Sequence, residues 1–106
     1  MIRIINGKRY NTEKATLVHT HTVSDREDDK YYWEETGLYL TKSGRWFLAG
    51  KGGPGSQWGK CDDYYSDARP GSGLRPIDDK EAMKLLEKLA ATEIIEQYFG
   101  SLIQDA

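Results

Sequence analysis

One stretch constrains the fold of this chain more than any other: residues 36–53, with the sequence TGLYLTKSGRWFLAGKGG. Two short runs of apolar and aromatic residues, 38–40 and 46–48, lie on either side of a polar segment. Gly44 in that segment can adopt positive φ, as a tight turn requires. The stretch therefore predicts a β-hairpin at about 38–48, and we expect the rest of the chain to pack around it.

Alternation within the hairpin predicts two different faces. Successive side chains of a strand point to opposite sides, so Leu38 and Tyr39 are expected on opposite faces of the first strand. In the second strand the same holds for Phe47 and Leu48. Both faces then carry aromatic residues. One face is expected to cover the core helix, and the other is expected to be either covered by the loop region or partly exposed.

Length and composition place this hairpin in one small domain, residues 1–106. The net charge of −2 disfavours a general nucleic-acid binder, for which a basic domain is expected. The single cysteine, Cys61, excludes an internal disulfide and fits the cytoplasm. We expect neither a signal peptide nor a membrane span, because no apolar run approaches the roughly 20 residues that cross a bilayer.

The remaining segments predict further strands and long loops. A strand is expected at 2–5, followed by a turn at Asn6 and Gly7. A second strand is expected at 16–23, where alternation places Leu17, His19 and His21 on one face. Residues 50–59 are rich in glycine and predict a loop, and 61–73 are expected to continue irregularly. Such a long stretch is a natural place for a binding surface.

Two helices are predicted near the C-terminus. Asp78 is the expected N-cap of the first, with Glu81 at the spacing of a capping box. Thr92 is the expected N-cap of the second, and Gly100 its end. The predicted fold is α+β: a small antiparallel sheet centred on the hairpin, with both helices packed on one face.

Candidate chemistry is sparse. His19, His21 and Cys61 could form a metal or thiol site, but zinc normally takes three or four protein ligands and a fourth is not visible. The run GKGGPGS at 50–56 does not fit a phosphate loop, because its lysine precedes most of the glycines and no helical pattern follows. We therefore expect no cofactor, no metal and no enzymatic activity, with a site at these three residues as the enzymatic alternative.

Acidic and aromatic residues are the more prominent features. Carboxylates are concentrated at 25–29 and at 62–67, where they could meet a basic protein surface. Tyrosine and tryptophan dominate the energetics of protein interfaces, so exposed aromatics favour a protein partner. The predicted contact residues are Asp25, Glu27, Asp28, Asp29, Trp58, Asp62, Asp63 and Tyr64.

Several segments together resemble a known group of proteins. They are NGKRYNT at 6–12, ETGLYLTKSGRWFLAGKGG at 35–53, IDDKEA at 77–82 and YFG at 98–100. In these segments the chain resembles a family of small, mostly uncharacterised proteins from bacterial phages and conjugative mobile elements. The resemblance implies an accessory protein that binds host machinery, as anti-CRISPR proteins do.

Two functions from different classes follow. The first is a non-enzymatic protein-binding module of a mobile element, an inhibitor of a host defence complex that binds a host protein or ribonucleoprotein. The alternative is a nucleic-acid-binding or regulatory protein that uses Lys42, Arg45, Trp46 and Lys51. The acidic net charge disfavours direct nucleic-acid binding, and the sequence leaves the oligomeric state open.

Overall fold

The computed structural model describes residues 1–23, 30–61, 68–89, 91–103 and 105. Within these residues the fold is α+β, as predicted. The strands are β1 (Ile2–Ile5), β2 (Lys8–Asn11), β3 (Thr16–Val23), β4 (Glu34–Leu40), β5 (Trp46–Gly52), β6 (Lys60–Cys61), β7 (Ala68–Arg69) and β8 (Gly71–Ile77). The helices are α1 (Asp79–Lys88) and α2 (Thr92–Phe99), followed by a 3-10 turn at Gly100–Leu102.

The predicted hairpin is formed by β4 and β5, at the centre of a four-stranded antiparallel sheet with the order β3-β4-β5-β8. Leu40 lies opposite Trp46 at the turn. The backbone N–H of Arg45 donates to Oγ1 of Thr41 at 2.9 Å, and Gly44 has φ of +89°. The turn residues thus hold the register that the two apolar runs require.

Both faces of the hairpin are buried, each by a different part of the chain. On one face Leu38 and Leu48 belong to a cluster with residues of both helices and the loop after β5; its buried members are Leu38, Trp46, Leu48, Trp58, Ala82, Leu86, Ile95 and Phe99. On the other face Phe47 is fully buried, stacked on Tyr39 with ring centres 5.1 Å apart. We call these the helix face and the hairpin face of the sheet.

The β1–β2 hairpin covers part of the hairpin face. Its two-residue turn has positive φ at both Asn6 (51°) and Gly7 (76°), the geometry that favours Asn-Gly at such turns. Tyr10 on β2 packs edge-on against Phe47, with ring centres 5.5 Å apart. The predicted turn is confirmed, and the small hairpin closes a second cluster around Phe47.

A bulge in β3 changes the faces of its residues. Leu17 lies opposite Tyr39 while His19 lies opposite Leu38, so Val18 is the extra residue. A bulge breaks the strict alternation of a strand. The predicted common face of Leu17, His19 and His21 is therefore wrong: the histidines lie on the helix face, and Leu17 lies on the hairpin face.

The fourth strand, β8, was not expected, because the sequence predicts an irregular chain through residue 73. It pairs with β5 along its length, with Pro76 opposite Phe47 and Gly73 opposite Gly50. Proline is tolerated at the edge of a sheet, where its missing N–H costs no ladder bond. Two glycines and a proline make this strand hard to recognise from the sequence, and it is held by its pairing with β5.

The two helices begin close to their predicted positions. Oδ1 of Asp78 accepts the backbone N–H of Glu81 at 2.8 Å, which confirms Asp78 as the N-cap of α1. The N-cap of α2 is Ala91 rather than the predicted Thr92, which lies inside the helix. Helix α2 ends at Phe99, and Gly100 continues with right-handed helical φ into the 3-10 turn. Among the described helices, none has the length and apolar composition of a membrane span.

Candidate functional site

Two neighbouring tyrosines are displayed just before β4. Tyr31 is 48% exposed and Tyr32 is 57% exposed, and their rings meet edge to face with centres 4.7 Å apart. They rest on the loop at 53–58 that leaves β5. We call Tyr31, Tyr32 and this loop the tyrosine platform.

Three consecutive aromatics, residues 31–33, directly precede β4. Residues 30–32 form a turn in the structure. The structure buries Trp33 and exposes the two tyrosines. The sequence prediction did not include Tyr31 or Tyr32 among the contact residues, although this consecutive run was the available signal.

Backbone hydrogen bonds join the tyrosines to the loop. The N–H of Gly53 donates to the carbonyl of Trp33 at 2.8 Å, and the N–H of Gly55 donates to the carbonyl of Tyr31 at 2.7 Å. A Cβ at Gly55 would lie 2.6 Å from Cδ1 of Tyr31 and 2.7 Å from Cδ1 of Tyr32. Glycine at this position therefore lets both rings lie directly on the loop.

Trp58 anchors the loop to the sheet. The sequence predicts it as a partner contact, but it is only 8% exposed and belongs to the core on the helix face. Its indole N–H donates to Oγ1 of Thr36 at 2.8 Å. A Cβ at Gly73 would lie 2.8 Å from Cε3 of Trp58, so the glycine of β8 makes room for the ring. Its burial gives Trp58 a supporting position beneath the platform.

A buried carboxylate completes the support. Glu34 is 8% exposed, and its Oε2 accepts hydrogen bonds from Oγ1 of Thr36 and from Nε2 of Gln57, both at 2.8 Å. Its Oε1 accepts the backbone N–H of Gln57 at 3.2 Å. These bonds offset the cost of burying a charge and tie β4 to the loop. The indole of Trp58, the hydroxyl of Thr36 and the carboxylate of Glu34 form one continuous chain of hydrogen bonds.

Ser56 closes the loop on itself. Its hydroxyl donates to the carbonyl of Gly53 at 2.8 Å and accepts the backbone N–H of Trp58 at 3.3 Å. The sequence predicts a loop at 50–59. In the structure β5 extends to Gly52, so the loop begins at Gly53. Side-chain hydrogen bonds of Ser56 and Trp58 hold this loop.

The two histidines lie beneath the platform. His19 and His21 line a small cavity of about 30 Å³ together with Glu34 and Gln57, a space of about one water molecule. In the part of the chain that the structure describes, no three His, Cys, Asp or Glu side chains are grouped to hold a metal ion. Cys61 lies in β6, and its side chain is outside the described set, so its pairing with a histidine stays a prediction.

The predicted acidic contact residues stay predictions. They fall outside the residues that the structure describes, as does the predicted Tyr64; they are Asp25, Glu27, Asp28, Asp29, Asp62 and Asp63. In sequence the first group ends one residue before Lys30, which directly precedes the tyrosines. The platform therefore follows one of the two acidic segments along the chain.

The residues of the nucleic-acid hypothesis do not form one surface. Trp46 is buried in the core, with its ring stacked 5.3 Å from that of Phe99. Lys42 and Arg45 lie in the β4–β5 turn, whereas Lys51 lies near the other end of β5. A strand rises about 3.3 Å per residue, which puts Arg45 and Lys51 about 20 Å apart along β5.

A second open surface lies on the hairpin face beyond the β1–β2 hairpin. It is a shallow groove of about 500 Å³ with small residues and hydroxyls among its lining, including Thr20, Thr22, Gly37, Ala49 and Ser72. At its border Nζ of Lys51 lies 3.6 Å from Oε2 of Glu35, with both side chains about half exposed. This groove offers hydrogen-bonding groups and one neutralised charge pair.

The tyrosine platform combines exposed aromatic rings with a loop that is hydrogen-bonded to the sheet. It is built from two tyrosines before β4 and the loop after β5, and it is supported by Glu34 and Thr36 of β4. Comparisons with protein-family models, with curated proteins and with solved structures find no match to this chain.

Proposed function

We propose that this protein is a non-enzymatic protein-binding module whose contact surface is centred on Tyr31 and Tyr32. The observation that carries the proposal is the exposure of both rings, at 48% and 57%, on a loop that is fixed to the sheet. Tyrosine offers a large apolar ring and a polar hydroxyl with few rotatable bonds. Such side chains are enriched among the residues that dominate binding energy at protein interfaces.

The support beneath the rings favours binding because it reduces the entropy that would be lost on association. Immobilising a flexible side chain or loop at an interface costs roughly 0.5–1.5 kcal/mol for each side chain. Here the loop is already held by the hydrogen bonds of Glu34, Ser56 and Trp58. A partner therefore meets a surface that needs little further ordering.

The acidic segments give the proposed partner its chemistry. Asp25, Glu27, Asp28 and Asp29 precede the tyrosines in sequence, and Asp62, Asp63 and Tyr64 follow β6. A cluster of carboxylates attracts a basic surface and accelerates encounter with it. Proteins that handle nucleic acids have such basic surfaces, so the proposed partner is a host nucleic-acid-handling protein or ribonucleoprotein.

The resemblance to small proteins of phages and conjugative elements supports the same proposal. An accessory protein that covers a basic nucleic-acid-binding surface would inhibit the host complex. The specific form of the proposal is therefore an inhibitor of a cytoplasmic host defence complex, similar in action to anti-CRISPR proteins.

The test is a quantitative pull-down from nuclease-treated bacterial lysate, followed by affinity measurement with the purified partner. The double variant Tyr31→Ala/Tyr32→Ala should lose at least about tenfold in affinity, as expected when interface hot spots are truncated. The matched control is Ile2→Ala/Ile4→Ala, which removes two exposed apolar side chains from β1 and should stay within about twofold. Equal retention of the same partner by both variants would refute the proposed surface.

A further inference from the structure

Three residues with cationic side chains border one pocket at the turn end of the β4–β5 hairpin. Arg9 on β2, Lys14 in the following turn and Lys42 in the β4–β5 turn line one pocket of about 260 Å³. The other lining residues are Asn11, Ala15, Thr41 and Ser43. No carboxylate is among these lining residues. Residues 9, 14 and 42 are distant in sequence, so only the fold brings them together.

The backbone around the pocket is held on both sides. Oδ1 of Asn11 accepts the N–H of Glu13 at 3.0 Å, and the carbonyl of Asn11 accepts the N–H of Ala15 at 3.0 Å. Across the pocket, the hydroxyls of Thr41 and Ser43 lie 3.1 Å apart. The concavity is therefore framed by two hydrogen-bonded turns.

The positive charge of the pocket is not neutralised within the described chain. The ion pairs found there are Lys51 with Glu35 and Arg75 with Glu81, and neither involves a residue of the pocket. Glu13 lies in the same turn as Lys14 but does not line the pocket. Three cations around one concavity concentrate positive potential and attract an anion.

Arg45 is separated from this group by the turn. It lines the neighbouring concavity, which also contains Asp78, Asp79 and Glu81. Lys42 and Arg45 therefore face different electrostatic surroundings although they lie three residues apart. The cationic group consists of Arg9, Lys14 and Lys42, a set that the sequence did not indicate.

We propose that this pocket is a binding site for a compact phosphate group, such as a diphosphate or a terminal phosphate. Arginine forms two parallel hydrogen bonds with phosphate oxygens, and lysine contributes a mobile point charge. The hydroxyls of Thr41 and Ser43 bond to each other, which leaves one of them with a proton to donate to a ligand. One local group of three cations suits a compact ligand better than the backbone of a long nucleic acid, which requires a continuous basic track.

Inorganic pyrophosphate is the first probe, titrated by calorimetry at constant ionic strength. The double variant Arg9→Gln/Lys42→Gln should weaken pyrophosphate binding at least about tenfold, because it removes the guanidinium of Arg9 and the ammonium of Lys42. The control Lys84→Gln/Lys88→Gln removes the same charge from exposed positions of α1 and should stay within about twofold. The single variant Lys14→Gln provides a second test, because Lys14 lies neither in a strand nor in the β4–β5 turn.

Each outcome decides the proposal. A selective loss in the pocket variants supports the site, whereas equal loss in the control variant would show general charge attraction and overturn it. No saturable binding of pyrophosphate by the wild-type protein would also overturn it. The Tyr31→Ala/Tyr32→Ala variant should bind pyrophosphate normally, so this test is independent of the proposed protein-binding surface.

A second titration identifies the source of the phosphate. Two oligonucleotides of the same sequence are compared, one with a 5′-phosphate and one without. If pyrophosphate displaces the 5′-phosphorylated oligonucleotide, the site is supported and its ligand is the phosphorylated end of a nucleic acid. Binding of pyrophosphate without binding of either oligonucleotide supports the site with a small phosphate compound as ligand. Equal affinity for both oligonucleotides, unchanged by Arg9→Gln/Lys42→Gln, would contradict a phosphate-specific pocket.

Discussion

The indole N–H of Trp58 donates to Oγ1 of Thr36 at 2.8 Å, and the same hydroxyl donates to the buried carboxylate of Glu34 at 2.8 Å. Thr36 therefore uses its hydroxyl both as acceptor and as donor. The chain of bonds runs from the loop after β5 into the centre of β4. It couples the surface that displays Tyr31 and Tyr32 to the core of the sheet.

Removing the indole N–H should destabilise the protein. Trp58→Phe deletes the donor to Thr36 and part of a buried ring, so unfolding in urea should show a loss of about 1–3 kcal/mol. The control Trp46→Phe removes the same atoms from a ring that packs on Phe99. If the two variants lose equal stability, the hydrogen bond to Thr36 contributes nothing beyond packing.

Neighbouring glutamates in β4 should behave very differently. Glu34→Ala leaves the buried hydroxyl of Thr36 without its acceptor, removes the bonds to Gln57, and should cost about 1–3 kcal/mol in the free energy of unfolding. Glu35→Ala breaks only the exposed pair with Lys51 and should change it by less than about 0.5 kcal/mol. Amide hydrogen exchange at Gly53 and Gly55 should accelerate in Glu34→Ala alone. Unchanged exchange there would show that the carboxylate does not hold the loop.

The centre of the fold was predictable because several local signals agree there. The hairpin has strand formers on both sides of a turn in which Gly44 takes positive φ, and Leu38 and Tyr39 face opposite ways as alternation requires. The cap of α1 at Asp78 was equally visible, because it depends only on a residue three positions away.

Features that depend on distant neighbours were not predictable. The bulge at Val18 reverses the face of Leu17, and no residue type in β3 marks it. The glycines of β8 make this strand hard to recognise from the sequence. Gly73 leaves room for the ring of Trp58, which lies far from it in sequence. The exposure of Tyr31 and Tyr32 likewise depends on which loop lies beneath them, so the sequence pointed to the acidic neighbours and missed the tyrosines.

The core on the helix face depends on leucines of α1. Leu86 is fully buried there, so Leu86→Ala should reduce the free energy of unfolding by about 2–5 kcal/mol through lost burial and a cavity. Leu102→Ala, at an exposed position of the 3-10 turn, should change it by less than about 0.5 kcal/mol. Chemical denaturation of both variants checks this, and equal effects would contradict the packing of α1 on the sheet.

Substitution by alanine should lower the stability of the protein at one glycine and raise it at another. Gly73→Ala places a Cβ 2.8 Å from Trp58 and should destabilise the protein by about 1–3 kcal/mol through overpacking. Gly100→Ala meets nothing within 4 Å and has φ of −54°, so it should stabilise by about 0.4–1 kcal/mol. Thermal unfolding measures both. A stable Gly73→Ala variant would mean that the ring of Trp58 can shift without cost.

Gly55→Ala tests whether the fixed position of the tyrosines, and not merely their presence, determines binding. The new Cβ would lie 2.6 Å from Cδ1 of Tyr31 and 2.7 Å from Cδ1 of Tyr32, so at least one of these exposed rings must move. Affinity for the protein partner should fall by about tenfold, since displaced rings lose their preorganised contacts. The melting temperature should change little, and pyrophosphate binding at Arg9, Lys14 and Lys42 should not change. Full partner affinity in Gly55→Ala, together with its loss in Tyr31→Ala/Tyr32→Ala, would show that the rings bind by adapting and that the loop does not preorganise them.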